Sequence, residues 1–191
     1  RSFRRELEQG ADAGSAEAAP AAAEAPGVEA GPSVAALARS YETILTQERL
    51  DHWLARLRSA ALVALDTETT SLDAMTARIV GLSFAVVPGE AAYVPLAHNY
   101  GDAPAQLPLD AVLAQLKPWL EDEAAAKVGQ HIKYDTHVLA NHGITVRGYR
   151  HDTLLQSYVL EAHLAHSLEK LAERHLGRKG LSYEDLCGKG A

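Results

Sequence analysis

The chain has 191 residues, of which 47% are hydrophobic and 23% charged, with a formal net charge of −7. That length suits about one domain with a real core, no apolar run approaches the ~20 residues of a membrane-spanning helix, and the acidic total excludes a nucleic-acid grip based on bulk positive charge. The single cysteine, Cys187, excludes an internal disulfide and fits a reducing cytoplasm. An acidic balance still suits a metal-dependent hydrolase, because a site for divalent cations itself needs a local excess of carboxylates.

The start, Arg1-Ser2-Phe3-Arg4-Arg5, has neither an initiator Met nor a following apolar stretch of signal type, so the chain reads as a piece of a longer one. Residues 1–9 read as the tail of a preceding domain. Ten of the twenty residues from Ala11 to Ala30 are Ala, broken by Pro20 and Pro26 and followed by Gly31-Pro32. With so few large apolar side chains, burial cannot offset the entropy of ordering, and residues 10–38 are expected to be a disordered linker. The folded domain is expected over 39–191.

From Tyr41 the composition changes. Leu50, Trp53, Leu54 and Leu57 fall at helical spacing behind Thr46, a suitable N-cap. The run Ala61-Leu62-Val63-Ala64-Leu65 predicts a short strand buried on both faces and ending at Asp66. Ile79–Val87, Pro88-Gly89 and Ala91–Leu96 predict a hairpin. Leu109, Val112, Leu113, Leu116 and Leu120 mark a second helix, with Pro118 as a kink near its end. Ala125–Val128 predicts a strand, Tyr134–His142 a helix stopped by Gly143, and the neighbourhood of Tyr149 another short strand. Helices follow at 152–161, at 167–176 between a Ser167 cap and a Gly177 stop, and from Ser182. A three-strand antiparallel meander followed by helix-linked strands implies an α/β fold, one mixed sheet with flanking helices.

Asp66-Thr67-Glu68 closes the first of these strands. Alternation puts Asp66 and Glu68 on one side, where two like charges are costly unless a cation lies between them, and hard oxygen ligands select Mg²⁺ or Mn²⁺. Alone, the pair reads more readily as a solvated D-x-E turn after a strand. Three other features have plainer readings. His163-x-x-His166 lacks a Cys partner for zinc, Cys187 has no catalytic context, and Asp152 suits an N-cap before an apolar helix.

The longer string Asp66-Thr67-Glu68-Thr69-Thr70-Ser71-Leu72-Asp73, followed by Gly129-Gln130-His131-Ile132-Lys133-Tyr134-Asp135, closely resembles the first and second motifs of the 3′→5′ proofreading exonuclease domain of bacterial DNA polymerase I. Val80–Ala85, Pro88-Gly89, Leu116-Lys117-Pro118, Asp152-Thr153, Leu171–Arg174 and Gly188-Lys189-Gly190 match the same family in order. The resemblance implies a ribonuclease-H-like sheet and hydrolysis of 3′-terminal nucleotides from single-stranded DNA with two divalent metal ions. Asp66 would bridge both metals, Glu68 would hold the one that activates water, and Asp135 would support the second, partly through water. Leu72 would pack against the terminal base, Tyr134 and Gln130 would line the single-strand groove, and Thr69, His131 and Lys133 would also face the nucleic acid. His131 departs from the family, which usually has Asn there.

The resemblance also implies a 5′-nuclease domain before the linker and a polymerase domain after the chain, in a cytoplasmic protein without an obligate protein partner. The family's third motif, a Tyr and an Asp four residues apart, is expected beyond Ala191, and Tyr158 to Glu161 does not replace it by place in the order. Without that helix, an apolar strip on the sheet or on helices 152–176 is expected to stay uncovered. Two alternatives remain open at this point: a ribonuclease-D-like exoribonuclease and a catalytically silent DNA-binding scaffold.

Overall fold

The computed structural model describes residues 38–180. The expected tail of residues 1–9, the linker as far as residue 37, the Ser182 helix, Cys187 and Gly188-Lys189-Gly190 lie outside the described residues. Strands β1 (Ser40–Thr43), β2 (Val63–Thr69), β3 (Ile79–Val87), β4 (Glu90–Pro95), β5 (Lys127–Gly129) and β6 (Tyr149–Asp152) form one sheet in the order β1-β4-β3-β2-β5-β6. The expected meander is β2-β3-β4, antiparallel throughout, and β5 and β6 extend the sheet in parallel from β2. The helices are α1 (Gln47–Ser59), α2 (Leu109–Leu120), α3 (Ile132–Ala140), α4 (Thr153–Glu161) and α5 (Leu168–Leu176).

The expected helical stripes pack as one core against one face of the sheet. On α1, Thr46 caps the first turn by accepting from the Arg49 amide, and Leu50, Trp53, Leu54 and Leu57 are buried. Val112, Leu113, Leu116, Trp119 and Leu120 of α2 and Val138 and Leu139 of α3 join them. From the sheet come Val63 and Leu65 of β2, Leu82 and Phe84 of β3 and Val94 of β4, with Phe84 edge-on to Trp119 at 6.0 Å between centroids.

Four expectations need correction. β1 was not anticipated; it adds at the edge, parallel to β4, with Ser40 opposite Glu90 and Thr43 opposite Tyr93. β2 is buried on one face only and runs on through the acidic string to Thr69, with burial alternating from Val63 onward while Ala61 and Leu62 are exposed. β5 begins at Lys127, later than expected. That lysine is 0% exposed, its Nζ stands 4.6 Å from the Trp119 ring centroid and donates to the Ala125 carbonyl at 2.8 Å, and burial pushes the ammonium down to about 8. α3 starts at Ile132 and ends at Ala140, ahead of the Gly143 turn (φ 72°).

The other face of the sheet is set by register. Asp66 pairs with Ser83 and Ser83 with Tyr93; Glu68 pairs with Gly81 and Gly81 with Pro95; Ala64 pairs with Ala85 and Ala85 with Ala91. Residues paired directly across strands point to the same side, so these rows form a second, open face. Its small side chains floor a groove of about 790 Å³ that includes Tyr41, Ala64, Ala85, Ala91 and Val128. Exposed apolar side chains also cluster on α4, where Leu155, Tyr158, Val159 and Leu160 face outward and Val159 is 85% exposed. Uncovered apolar surface therefore exists both on the sheet and on helices of the 152–176 region.

Candidate active site

The acidic string occupies the carboxyl-terminal half of β2. β5 pairs only with Val63 and Ala64, so the edge of β2 beyond Ala64 is free on that side. Into that edge reaches α3, from which Asp135, 2% exposed, accepts from the Thr67 amide at 3.1 Å and from the Thr67 hydroxyl at 2.7 Å, both on Oδ1. Thr67 is the residue between the two outward carboxylates and points to the core side, where its hydroxyl is tolerated because Asp135 accepts from it.

Asp66 and Glu68 stand exposed on the open face, and Asp135 stands at the strand edge on the core side of Thr67. Asp66 lies between the other two electrically. Desolvation, followed by the charges of Asp135 and Glu68, pushes its carboxyl up to about 6. Since Asp66 remains open by surface area, that desolvation belongs to the floor of a cleft and not to a core. Asp135 is also raised, by burial, against the lowering effect of its two bonds from Thr67.

All the donors here are carboxylate oxygens, and the repulsion that raises Asp66 is of the kind a hard cation relieves. Asp66 and Glu68 present oxygens directly to the open face, whereas Asp135 has one oxygen committed to Thr67. Among the described residues no three His, Cys, Asp or Glu side chains form a set placed to hold one ion. The arrangement therefore fits direct cation ligation by Asp66 and Glu68, with Asp135 set back at the strand edge.

The remaining predicted residues are distributed around this strand end. Leu72 follows β2 in a loop and is 98% exposed, which removes core packing as its role. The Tyr134 hydroxyl bonds both Thr69 Oγ1 and the Ser71 carbonyl, pinning that loop to α3. The Gln130 amide is internally engaged, donating to the His166 carbonyl at 3.0 Å and accepting from Thr153 Oγ1 at 2.5 Å. His131 is exposed at the N-cap of α3 with φ 61° and ψ 47°. Lys133 is exposed.

Sequence reasoning missed three participants. Thr67 holds Asp135; strict alternation through Asp66-Thr67-Glu68 was the signal for a core-side hydroxyl. Asp152 caps α4 as expected, and it also accepts from the His131 and Ile132 amides at 3.1 and 3.0 Å, so one carboxylate starts two helices. Tyr149 has a buried hydroxyl without a partner among the described residues, and its phenol is raised by burial and then by Asp135 and Asp66. The His163/His166 pair is not a metal site: His166 is buried, bonded through Nδ1 to Ser157 at 2.8 Å and stacked on Tyr158 at 3.7 Å, while His163 is exposed.

Comparison with known proteins gives the family. A family model described as 3′-5′ exonuclease matches residues 41–191. DNA polymerase I of Pseudomonas aeruginosa is 53% identical over 154 residues, which are 79% of this chain and 17% of that protein. The chain thus spans about a sixth of the length of this relative. Among solved structures, Pol1 of M. smegmatis, in a complex with DNA primer-template and dNTP, superposes with a TM-score of 0.59 at 26% identity, covering 72% of this chain and 23% of that one. The catalytic core of RRP6 from Trypanosoma brucei shares the fold, with a TM-score of 0.60 at 14% identity over 78% of this chain and 38% of its own. Sheet order, acidic strand and matched family together make this chain a member of the 3′-5′ exonuclease domain family of DNA polymerase I, a divalent-metal-dependent nuclease family with a ribonuclease-H-like fold.

Proposed function

We propose that this domain removes nucleotides from the 3′ ends of single-stranded DNA, as the proofreading part of a longer, cytoplasmic polymerase that also carries polymerase and 5′-nuclease domains. The observation that carries the reading is the gathering of Asp66, Glu68 and Asp135 around the end of one strand, with Asp66 pushed up to about 6 by its surroundings. Asp66 would hold both of two Mg²⁺ or Mn²⁺ ions, Glu68 the one nearest the attacking water, and Asp135 the other through water. Bound there, the ions supply a lowered pKa for the attacking water and charge neutralisation at the leaving 3′-oxygen.

The chain's own residues do the rest. The open face admits a phosphodiester to Asp66 and Glu68. Leu72 offers a bare apolar surface to the terminal base, and Lys133 offers a charge to a phosphate. Thr69, Tyr134 and Gln130 have their polar ends tied within the protein, so they shape the wall of the groove and read no base sequence. His131 stands exposed at the α3 terminus, which Asp152 holds.

The test is Asp66→Ala in the longer protein, assayed on a labelled single-stranded oligonucleotide with Mg²⁺. Loss of excision by on the order of 100-fold or more is expected, because the carboxylate that would hold both charge-neutralising ions is removed. Polymerisation should be unaffected. Retained excision from protein free of other nucleases would place the cations elsewhere.

A further inference from the structure

The open face carries a feature beyond the three carboxylates. Tyr93 of β4 lies in the same row as Asp66, separated from it by Ser83. Its ring does not stand straight up from the sheet. It leans over Gly81, so closely that a Cβ built on Gly81 would meet the Tyr93 hydroxyl at 1.9 Å. Gly81 is the direct cross-strand partner of Glu68. Side chains paired in this way have Cβ atoms ~5 Å apart, so the phenol occupies the space beside the Glu68 carboxylate that a side chain at position 81 would otherwise fill.

The hydroxyl is held there by a built support. Tyr93 Oη bonds His98 Nε2 at 2.5 Å, and the two rings lie 5.8 Å apart. The His98 backbone is locked on both sides by one amide: its N–H donates to Gln106 Oε1 at 2.8 Å and its carbonyl accepts from Gln106 Nε2 at 2.9 Å. The polar pair is thus fixed on the face of the sheet away from the core. If His98 carries its proton on Nε2, the imidazole donates to the phenol oxygen and the phenol O–H is left to donate elsewhere.

We propose that Tyr93 is a positioning residue for Glu68: its hydroxyl, bonded to His98 in this structure, stands beside the Glu68 carboxylate to donate to it and fix it for cation binding. Gly81 is required because any larger residue would displace the phenol. The inference rests on the reading of Glu68 as a metal-holding carboxylate. Partners of this kind orient the ligand and raise its basicity, and their loss typically costs ~10–100-fold in metal affinity.

The test measures Mn²⁺ binding to the full chain by electron paramagnetic resonance, which needs no turnover. Four proteins are compared: the unmodified chain, Asp66→Ala, Tyr93→Phe and His98→Gln. Tyr93→Phe keeps the ring over Gly81 and removes only the hydroxyl, and thermal unfolding establishes that it is folded. Asp66→Ala is expected to lose binding, Tyr93→Phe to weaken it about 10-fold, and His98→Gln, whose amide also donates, to stay close to the unmodified chain. Unchanged affinity in Tyr93→Phe, alongside loss in Asp66→Ala, overturns the proposal and leaves the metal reading standing. A lowered melting temperature without a change in affinity likewise overturns it, since the hydroxyl would then be structural. Unchanged affinity in Asp66→Ala overturns the metal reading, and the role of Tyr93 with it.

Discussion

Asp66 ionises less readily in the folded chain than outside it. Its carboxyl moves from 3.8 up to about 6, so between those values the folded state binds the proton more tightly than the unfolded state does. The corresponding stability is fully present below 3.8 and is lost as pH rises through about 6. Asp66→Asn should therefore melt higher than the unmodified chain at pH 8 without divalent ions, by about 1–3 °C given its contact with water. That difference should close below pH 4, as thermal denaturation followed by circular dichroism would show. The pairing of Asp66 with Glu68 was legible from alternation alone. The hold of Thr67 on Asp135 was not, because it joins positions 68 residues apart. The departure at His131 also acquires a physical reason. It is the only non-glycine residue with positive φ among those described, and Asn, which the family usually has there, and His both tolerate that region better than most residues.

Elements were legible where the pattern was local and misread where a neighbour decided. The stripes of α1 and α2, the β3-β4 hairpin with Gly89 at φ 90° and the Ser167 and Gly177 caps of α5 all follow from short-range spacing and turn chemistry. β1 has no apolar run, since Ser-Tyr-Glu-Thr becomes a strand only because β4 offers it an edge. β2 was expected to be buried on both faces because Ala64 counts as apolar, yet the face it shares with Asp66 and Glu68 is open. α3 began earlier than expected because Asp152, distant in sequence, satisfies its first amides. That shared cap gives a prediction. Asp152→Ala should cost roughly 1–4 kcal/mol in urea denaturation, at ~0.5–2 kcal/mol for each of the two helix starts. A loss confined to the lower end would show that only one of the caps matters.

At the scale of the molecule, the open sheet face and the outward side of α4 leave apolar surface in water. Leu155, Tyr158, Val159 and Leu160 lie close together on one helix. Isolated apolar residues on a surface are ordinary, but contiguous patches promote association. Sedimentation of the chain should therefore show concentration-dependent self-association, which Val159→Lys combined with Leu160→Lys should reduce without lowering the melting temperature; sedimentation unchanged by the pair would place the sticky surface on the sheet instead. The long reach between the strand end and α3 also bears on how the protein is made. A ribosome adding ~5–20 residues per second takes about 3–14 s to pass from Thr67 to Asp135, 68 positions later. During that interval the emerging chain displays Asp66 and Glu68 but not yet the third carboxylate. A polypeptide abandoned midway therefore carries the acidic strand without α3, the helix that brings Asp135 to it.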